Sequence, residues 1–260
     1  MAHFAISCFS DTLQMSVNLN VILPQRTKRH GFTGTTPDGK FPVLYLLHGM
    51  GDDQTIWQRR TAIERYVEGT PLAVVMPTTH LGFYTDMAHG LPYWSFFSQE
   101  LPALCKQFFP QLTDNREYTF AAGNSMGGYG AVKLALAHPE RFGKAVSLSG
   151  ALDLVSMAKH VPVTPLMQDI FGSAETLAGS DNDLLALAEQ TRRTHQTLPA
   201  LRICCGTEDP LLPSSRSASA CFTRLGYAVT YQESPGVHDW AYWDEQIRQA
   251  IPWLLDGTGA

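Results

Sequence analysis

The sequence predicts an α/β fold: a mostly parallel central sheet with helices on both faces and an N-terminal antiparallel hairpin. Three observations carry this. Apolar runs at residues 43–47, 72–76 and 201–205 lack alternation, the mark of strands buried on both faces. Segments of helical spacing separate such runs, so strand and helix alternate along the chain. Near the start the period becomes two, with Leu13, Met15, Val17, Leu19 and Val21 alternating with polar residues.

Taken in order, residues 4–9 and 13–23 read as two strands joined by a Ser10-Asp11-Thr12 turn. Residues 24–41, rich in Gly, Thr, Pro and Lys, form a loop before the strand at 43–47. That strand ends in His48-Gly49-Met50-Gly51, after which Asp52 or Asp53 can cap a helix reaching about Glu68. The strand at 72–76 stops at Pro77 and is followed by an irregular loop with Phe83, Tyr84, Asp86 and His89. Tyr93, Phe96, Phe97, Leu101, Leu104, Cys105 and Phe108 then follow helical spacing, with Pro102 expected to kink or split the helix.

Residues 118–123 read as a buried strand entering a glycine-rich turn at Ser125, and Val132, Ala135 and Leu136 place an apolar stripe on the next helix. A further strand covers 144–148. From about 150 to 196 the pattern changes to loops and short polar helical pieces, expected to be a small lid-like insertion in a single domain spanning 1–260. The strand at 201–205, a helix from Leu211, a strand at 227–232 and an amphipathic helix from Trp240 complete the chain.

Composition excludes several functions. With 44% hydrophobic and 17% charged residues, the chain has material for a substantial core and too little charge for disorder. A net charge of -5 without a long basic block leaves no footprint for nucleic acid. The N-terminus lacks a basic segment leading into an apolar run, and no stretch reaches the roughly 18 apolar residues of a membrane span. The expectation is a cytoplasmic protein with no membrane or nucleic-acid partner. Five cysteines without C-x-x-C spacing read as reduced thiols.

The chemistry is expected at the C-terminal edge of the sheet, where strand-following loops gather. Gly123-Asn124-Ser125-Met126-Gly127 spells G-x-S-x-G, which holds a serine on a sharp strand-to-helix turn. A serine hydroxyl needs a base and oxyanion donors beside it to act as a nucleophile. His238, between the last strand and the last helix, is the candidate base, since an imidazole exchanges its proton near neutral pH. Asp209, after the penultimate strand, is the candidate acid that orients it, with Glu208 and Asp153 as alternatives. Backbone N–H groups of Met50 and Met126 are the candidate oxyanion donors. Gly49, Phe83, Tyr84, Trp94 and Trp240 are expected to line a pocket for a small-molecule substrate. His80, Asp86 and His89 lack the spacing of a metal site, and the chemistry calls for no metal or cofactor.

As a set, Leu46-Leu-His-Gly-Met-Gly51, Ala122-Gly-Asn-Ser-Met-Gly-Gly-Tyr-Gly-Ala131, Cys205-Gly-Thr-Glu-Asp209 and Gly236-Val-His-Asp-Trp-Ala-Tyr-Trp243 resemble the esterase D family of α/β-hydrolases. The likeness is greatest to its bacterial tributyrin esterases and covers nearly the whole chain. It implies an α/β-hydrolase fold, a Ser125-Asp209-His238 triad, hydrolysis of short acyl esters from acetyl to butyryl, and a homo-oligomer. Feruloyl esters and S-formylglutathione are alternative substrates. S-formylglutathione hydrolases usually carry a Ser-Gly-Leu-Thr-Cys type sequence where this chain has His48-Gly-Met-Gly-Asp52. The same triad would also serve an acyltransferase.

Overall fold

Eight strands form one sheet in the computed structural model, which describes residues 1–28, 31–32, 34–160 and 164–257, with Ala174 by its backbone alone. Positions 29, 30 and 33 of the expected 24–41 loop, and 161–163 of the expected insertion, lie outside the described residues. The strands are β1 (Ala2–Ser10), β2 (Met15–Leu23), β3 (Val43–Leu47), β4 (Ala73–Pro77), β5 (Thr119–Asn124), β6 (Lys144–Leu148), β7 (Ala200–Gly206) and β8 (Val229–Ser234). Their spatial order is β1-β2-β4-β3-β5-β6-β7-β8. The β1–β2 hairpin is antiparallel and joins the sheet antiparallel to β4, while every pairing from β4 across to β8 is parallel. The expected fold class is therefore what the chain adopts.

The solid apolar strands are explained by what covers them. Along β3, Val43, Tyr45 and Leu47 point to one face while Leu44 and Leu46 point to the other, and all are buried. Helices Leu101–Phe108, Met126–Ala137 and Leu184–Thr194 cover the first face through Leu101, Tyr129, Val132 and Leu187. Trp57, Ile63 and Val67, with Trp243, Ile247, Ile251 and Leu254 of helix Trp240–Leu255, cover the second. Burial on both faces removes the pressure for alternation that a half-exposed strand feels.

Two helices differ from expectation. The single helix expected up to Glu68 is two short ones, Ile56–Arg60 and Ile63–Val67. They break at Thr61, whose backbone is extended and whose hydroxyl bonds the Trp57 carbonyl. Around Pro102 the helix changes type rather than stopping: Phe96–Glu100 forms a π-helical turn that runs into Leu101–Phe108. A proline has no N–H for the carbonyl four residues back, and a widened turn is one way to absorb that. The orphaned Ser98 carbonyl accepts instead from the Arg141 guanidinium.

Between β6 and β7 lie helices Leu154–His160, Pro165–Phe171, Ala174–Leu177 and Leu184–Thr194. The last is packed on the core, and its Thr191 hydroxyl donates to the Leu136 carbonyl at 2.7 Å. Among the described residues no helix is long and apolar enough to cross a membrane. The five cysteines are free thiols, Cys8 half-buried and the others buried.

Candidate active site

The chain runs from β3 to β4 on one side and later enters β5 on the other, so the β3–β5 boundary is a topological switch point. Crevices open at the carboxyl ends of strands flanking such a point. His48–Met50 follows β3 and Ser125 follows β5, which puts both beside it.

Ser125 sits between β5 and helix Met126–Ala137 with φ 51° and ψ −118°, a backbone state that non-glycine residues avoid. The surroundings enforce it. The Ser125 N–H donates to the Leu148 carbonyl at the end of β6, 2.8 Å away. A Cβ at Gly123 would lie 2.4 Å from Gly127 backbone atoms, and one at Gly127 would lie 2.3 Å from the Leu47 carbonyl oxygen. Glycine at both positions lets the helix start directly against β3 and β5. Met126 is then the first helical residue, whose N–H has no partner within the helix.

His238 faces this turn. Its Nε2 is 3.0 Å from Ser125 Oγ, and its Nδ1 is 2.8 Å from Asp209 Oδ2. A carboxylate can only accept, so Nδ1 carries the proton and Nε2 is free to accept from the serine hydroxyl. The Asp209 side chain is wholly buried, while 27% of the His238 side chain is exposed. Burial pushes the Asp209 carboxyl up, but hydrogen bonds from His238 and the Leu211 N–H outweigh it and hold the group below the ordinary range. Asp209 thus orients the imidazole and also caps the turn into the next helix. Asp153 is turned elsewhere, accepting from Ser217 Oγ at 2.6 Å and the Ser156 N–H at 3.0 Å. Glu208 is exposed and accepts from the Gly236 N–H.

The turn after β3 is closed by the Asp52 N–H donating to the Gly49 carbonyl, with Gly51 at φ 86° and Met50 at its exposed tip. His48 lies beneath it. Its Nδ1–H donates to the Gly49 carbonyl at 2.7 Å and its Nε2 accepts from the Thr79 N–H at 3.0 Å. Burial lowers this imidazole to about 4, so it is held neutral. Gly49 approaches the Asn124 side chain so closely that a Cβ there would come within 2.9 Å of Nδ2.

The residues expected to form a pocket take different places. Gly49 is buried in the β3 turn. Phe83 is packed edge-on between Tyr129 and Phe171, at 5.1 and 5.2 Å. Tyr84 is fully buried, its hydroxyl donating to the His48 carbonyl at 2.9 Å. Half-buried Trp94 stacks on His138 and lines a cavity of about 170 Å³ with Lys133 and Asp181. Trp240 packs edge-on against Trp57 and Trp243. Asp86 is occupied by the Ser95 N–H and hydroxyl, and His80 Nδ1 by the Tyr93 hydroxyl.

Two contributors were not singled out from sequence. Trp243 sets its ring perpendicular to His238 at 4.9 Å, beneath the imidazole. Lys133 is buried with three hydrogen-bond partners. The second had a signal: it is the one charged residue of Met126–Ala137, a helix without a polar face, where no solvated position is available to it. Trp243 sits on an apolar stripe and carried no such mark.

A parallel sheet flanked by helices, with a strained serine turn at a strand end, defines an α/β-hydrolase. Comparison with known proteins takes this further. Residues 10–254 match the Esterase family, and the chain belongs to it. It is 28% identical to the acetyl esterase of Caldicellulosiruptor saccharolyticus over 98% of both chains. Its structure superposes on substrate-bound FphF, a fluorophosphonate-binding serine hydrolase of Staphylococcus aureus, with a TM-score of 0.87 and 32% identity over 98% of both chains. FrmB, an S-formylglutathione hydrolase of the same organism, gives a TM-score of 0.85 at 32% identity, over 98% of this chain and 99% of that one. The protein is a carboxylic ester hydrolase.

Proposed function

We propose that this esterase hydrolyses short-chain acyl esters, acetyl to butyryl, through a Ser125-His238-Asp209 triad and an acyl-enzyme. The observation that carries the reading is the unbroken line from Asp209 Oδ2 through the His238 ring to Ser125 Oγ, with steps of 2.8 and 3.0 Å. Ser125 Oγ attacks the ester carbonyl while His238 Nε2 takes its proton. The resulting oxyanion is received by the N–H groups of Met50 and Met126, a kind of contact worth roughly 3 kcal/mol by the loss of one donor. The tetrahedral intermediate expels the alcohol, which leaves with the proton from Nε2. Water, deprotonated by the same nitrogen, attacks the acyl-enzyme; the carboxylic acid departs and Ser125 recovers its hydrogen. Asp209 stabilises the imidazolium throughout and stays ionised. No step requires a metal or cofactor.

The short-acyl preference rests on the likeness to the acetyl esterase and on the resemblance of the sequence motifs to those of tributyrin esterases. A second reading, hydrolysis of the thioester S-formylglutathione, is favoured by the 32% identity to FrmB. Two measurements test the proposal. A fluorophosphonate should label wild-type protein at Ser125 and leave folded Ser125→Ala unlabelled and inactive; substantial residual hydrolysis by that variant would refute the nucleophile. Across acetyl, butyryl and feruloyl esters and S-formylglutathione, the acetyl and butyryl esters should give the highest kcat/KM. A higher value for S-formylglutathione would establish the second reading in place of the first.

A further inference from the structure

Lys133 is 2% exposed on the helix that begins after Ser125, and its three partners are neutral oxygens. Its Nζ lies 2.6 Å from Asn182 Oδ1, 2.7 Å from Thr85 Oγ1 and 3.2 Å from the Tyr84 carbonyl oxygen. The rings of Trp94 and Tyr129 lie 4.4 and 5.8 Å away. Asp86 and Asp181 favour the charge from a distance, but burying an amine whose direct partners are neutral opposes folding, and an apolar side chain of similar volume would oppose it less. What the amine does in return is join three separate segments: the helix after Ser125, residues 84–85, and Asn182 from the segment between β6 and β7.

The middle segment needs such a restraint. Phe83 and Tyr84 are consecutive non-glycine residues at φ 51° and 50°, a strained pair that persists only when neighbours hold it. Lys133 holds the carbonyl of the second residue. From there the Tyr84 hydroxyl reaches back to the His48 carbonyl at 2.9 Å, where the turn carrying Gly49 and Met50 begins. A second tie, Tyr129 Oη to the Asn182 carbonyl at 2.9 Å, fixes the far side.

We propose that Lys133 is a positioning residue for ester hydrolysis, holding Tyr84 so that its hydroxyl fixes the His48–Met50 turn in the shape that receives the oxyanion. The inference rests on the reading of Met50 and Met126 as oxyanion donors. A small displacement of that turn weakens binding of the transition state more than that of the ester ground state, so the effect belongs in kcat rather than KM.

The test uses Lys133→Met, Tyr84→Phe and the double variant, with active sites counted by fluorophosphonate labelling. Each single variant should lose about tenfold or more in kcat per labelled site, with KM changed less than about threefold. Because both act through one route, the double variant should fall no further than the worse single one. Wild-type kcat per labelled site in Lys133→Met, or losses that multiply in the double variant, would overturn the proposal while leaving the triad intact. If Lys133→Met does not fold, Tyr84→Phe decides alone, and an unchanged kcat overturns it. Failure of the wild type to take the label would instead bring down the serine mechanism, and this proposal with it.

Discussion

Asp209 reaches His238 at 2.8 Å from a fully buried position, whereas Asp153, in the segment that follows β6, spends its carboxylate on Ser156 and Ser217. The acid expected from sequence and its alternative are thereby separated. Asp209→Asn should lower kcat by roughly 10⁴, the loss seen when an amide holds the imidazole in the wrong tautomer. Asp153→Asn should stay within about tenfold of wild type. Steady-state kinetics on a short acyl ester checks both, and similar losses in the two variants would reject Asp209 as the orienting acid.

A different prediction follows from His48. Burial lowers its imidazole to about 4, against about 6.5 in an unfolded chain. Between these values the unfolded state binds the proton and the folded state does not, so stability falls as pH drops from about 6.5 to about 4 and levels off below. Thermal melts of wild type and His48→Gln should therefore differ most at pH 7 and converge towards pH 4. A gap independent of pH would show that the ring is not held neutral.

The turn glycines make a steric prediction. A methyl group at Gly127 would meet the Leu47 carbonyl oxygen at 2.3 Å, and backbone cannot swing aside as a side-chain tip can. Gly127→Ala should cost about 1–3 kcal/mol or more of stability and greatly reduce labelling of Ser125. Gly31→Ala is the control, since among the described residues nothing lies within 4 Å of a Cβ there. Denaturant melts of the two should differ plainly, and equal stabilities would contradict the close packing of the helix start against β3.

Much of this was legible because it is local or chemically restrictive. The near-continuous apolar runs of β3, β4 and β7 announced buried strands, and Ser125 announced itself by its glycines. His238 and Asp209 could be picked out because so few residues of the right type follow strands at the correct edge. What escaped depended on contacts between distant segments. The break at Thr61 leaves no glycine or proline in the sequence to mark it. Beside the π-helical turn before Pro102, the Ser98 carbonyl is taken by Arg141, a partner 43 residues away. The surroundings of Tyr84 and Trp94, expected to line a pocket, could not be read from the loop itself. The burial of Tyr84 and the stacking of Trp94 on His138 arise from helices folded far along the chain.

The placement of His238 has a consequence for how the protein is made. Ser125 and His238 are 113 residues apart, and β6, β7 and β8 lie between them in the chain. During synthesis the serine leaves the ribosome long before the histidine, and domains assemble as units once enough chain has emerged. On the proposed mechanism, a nascent chain that already carries Ser125 has no base for it until the loop after β8 has emerged and packed against the turn after β5.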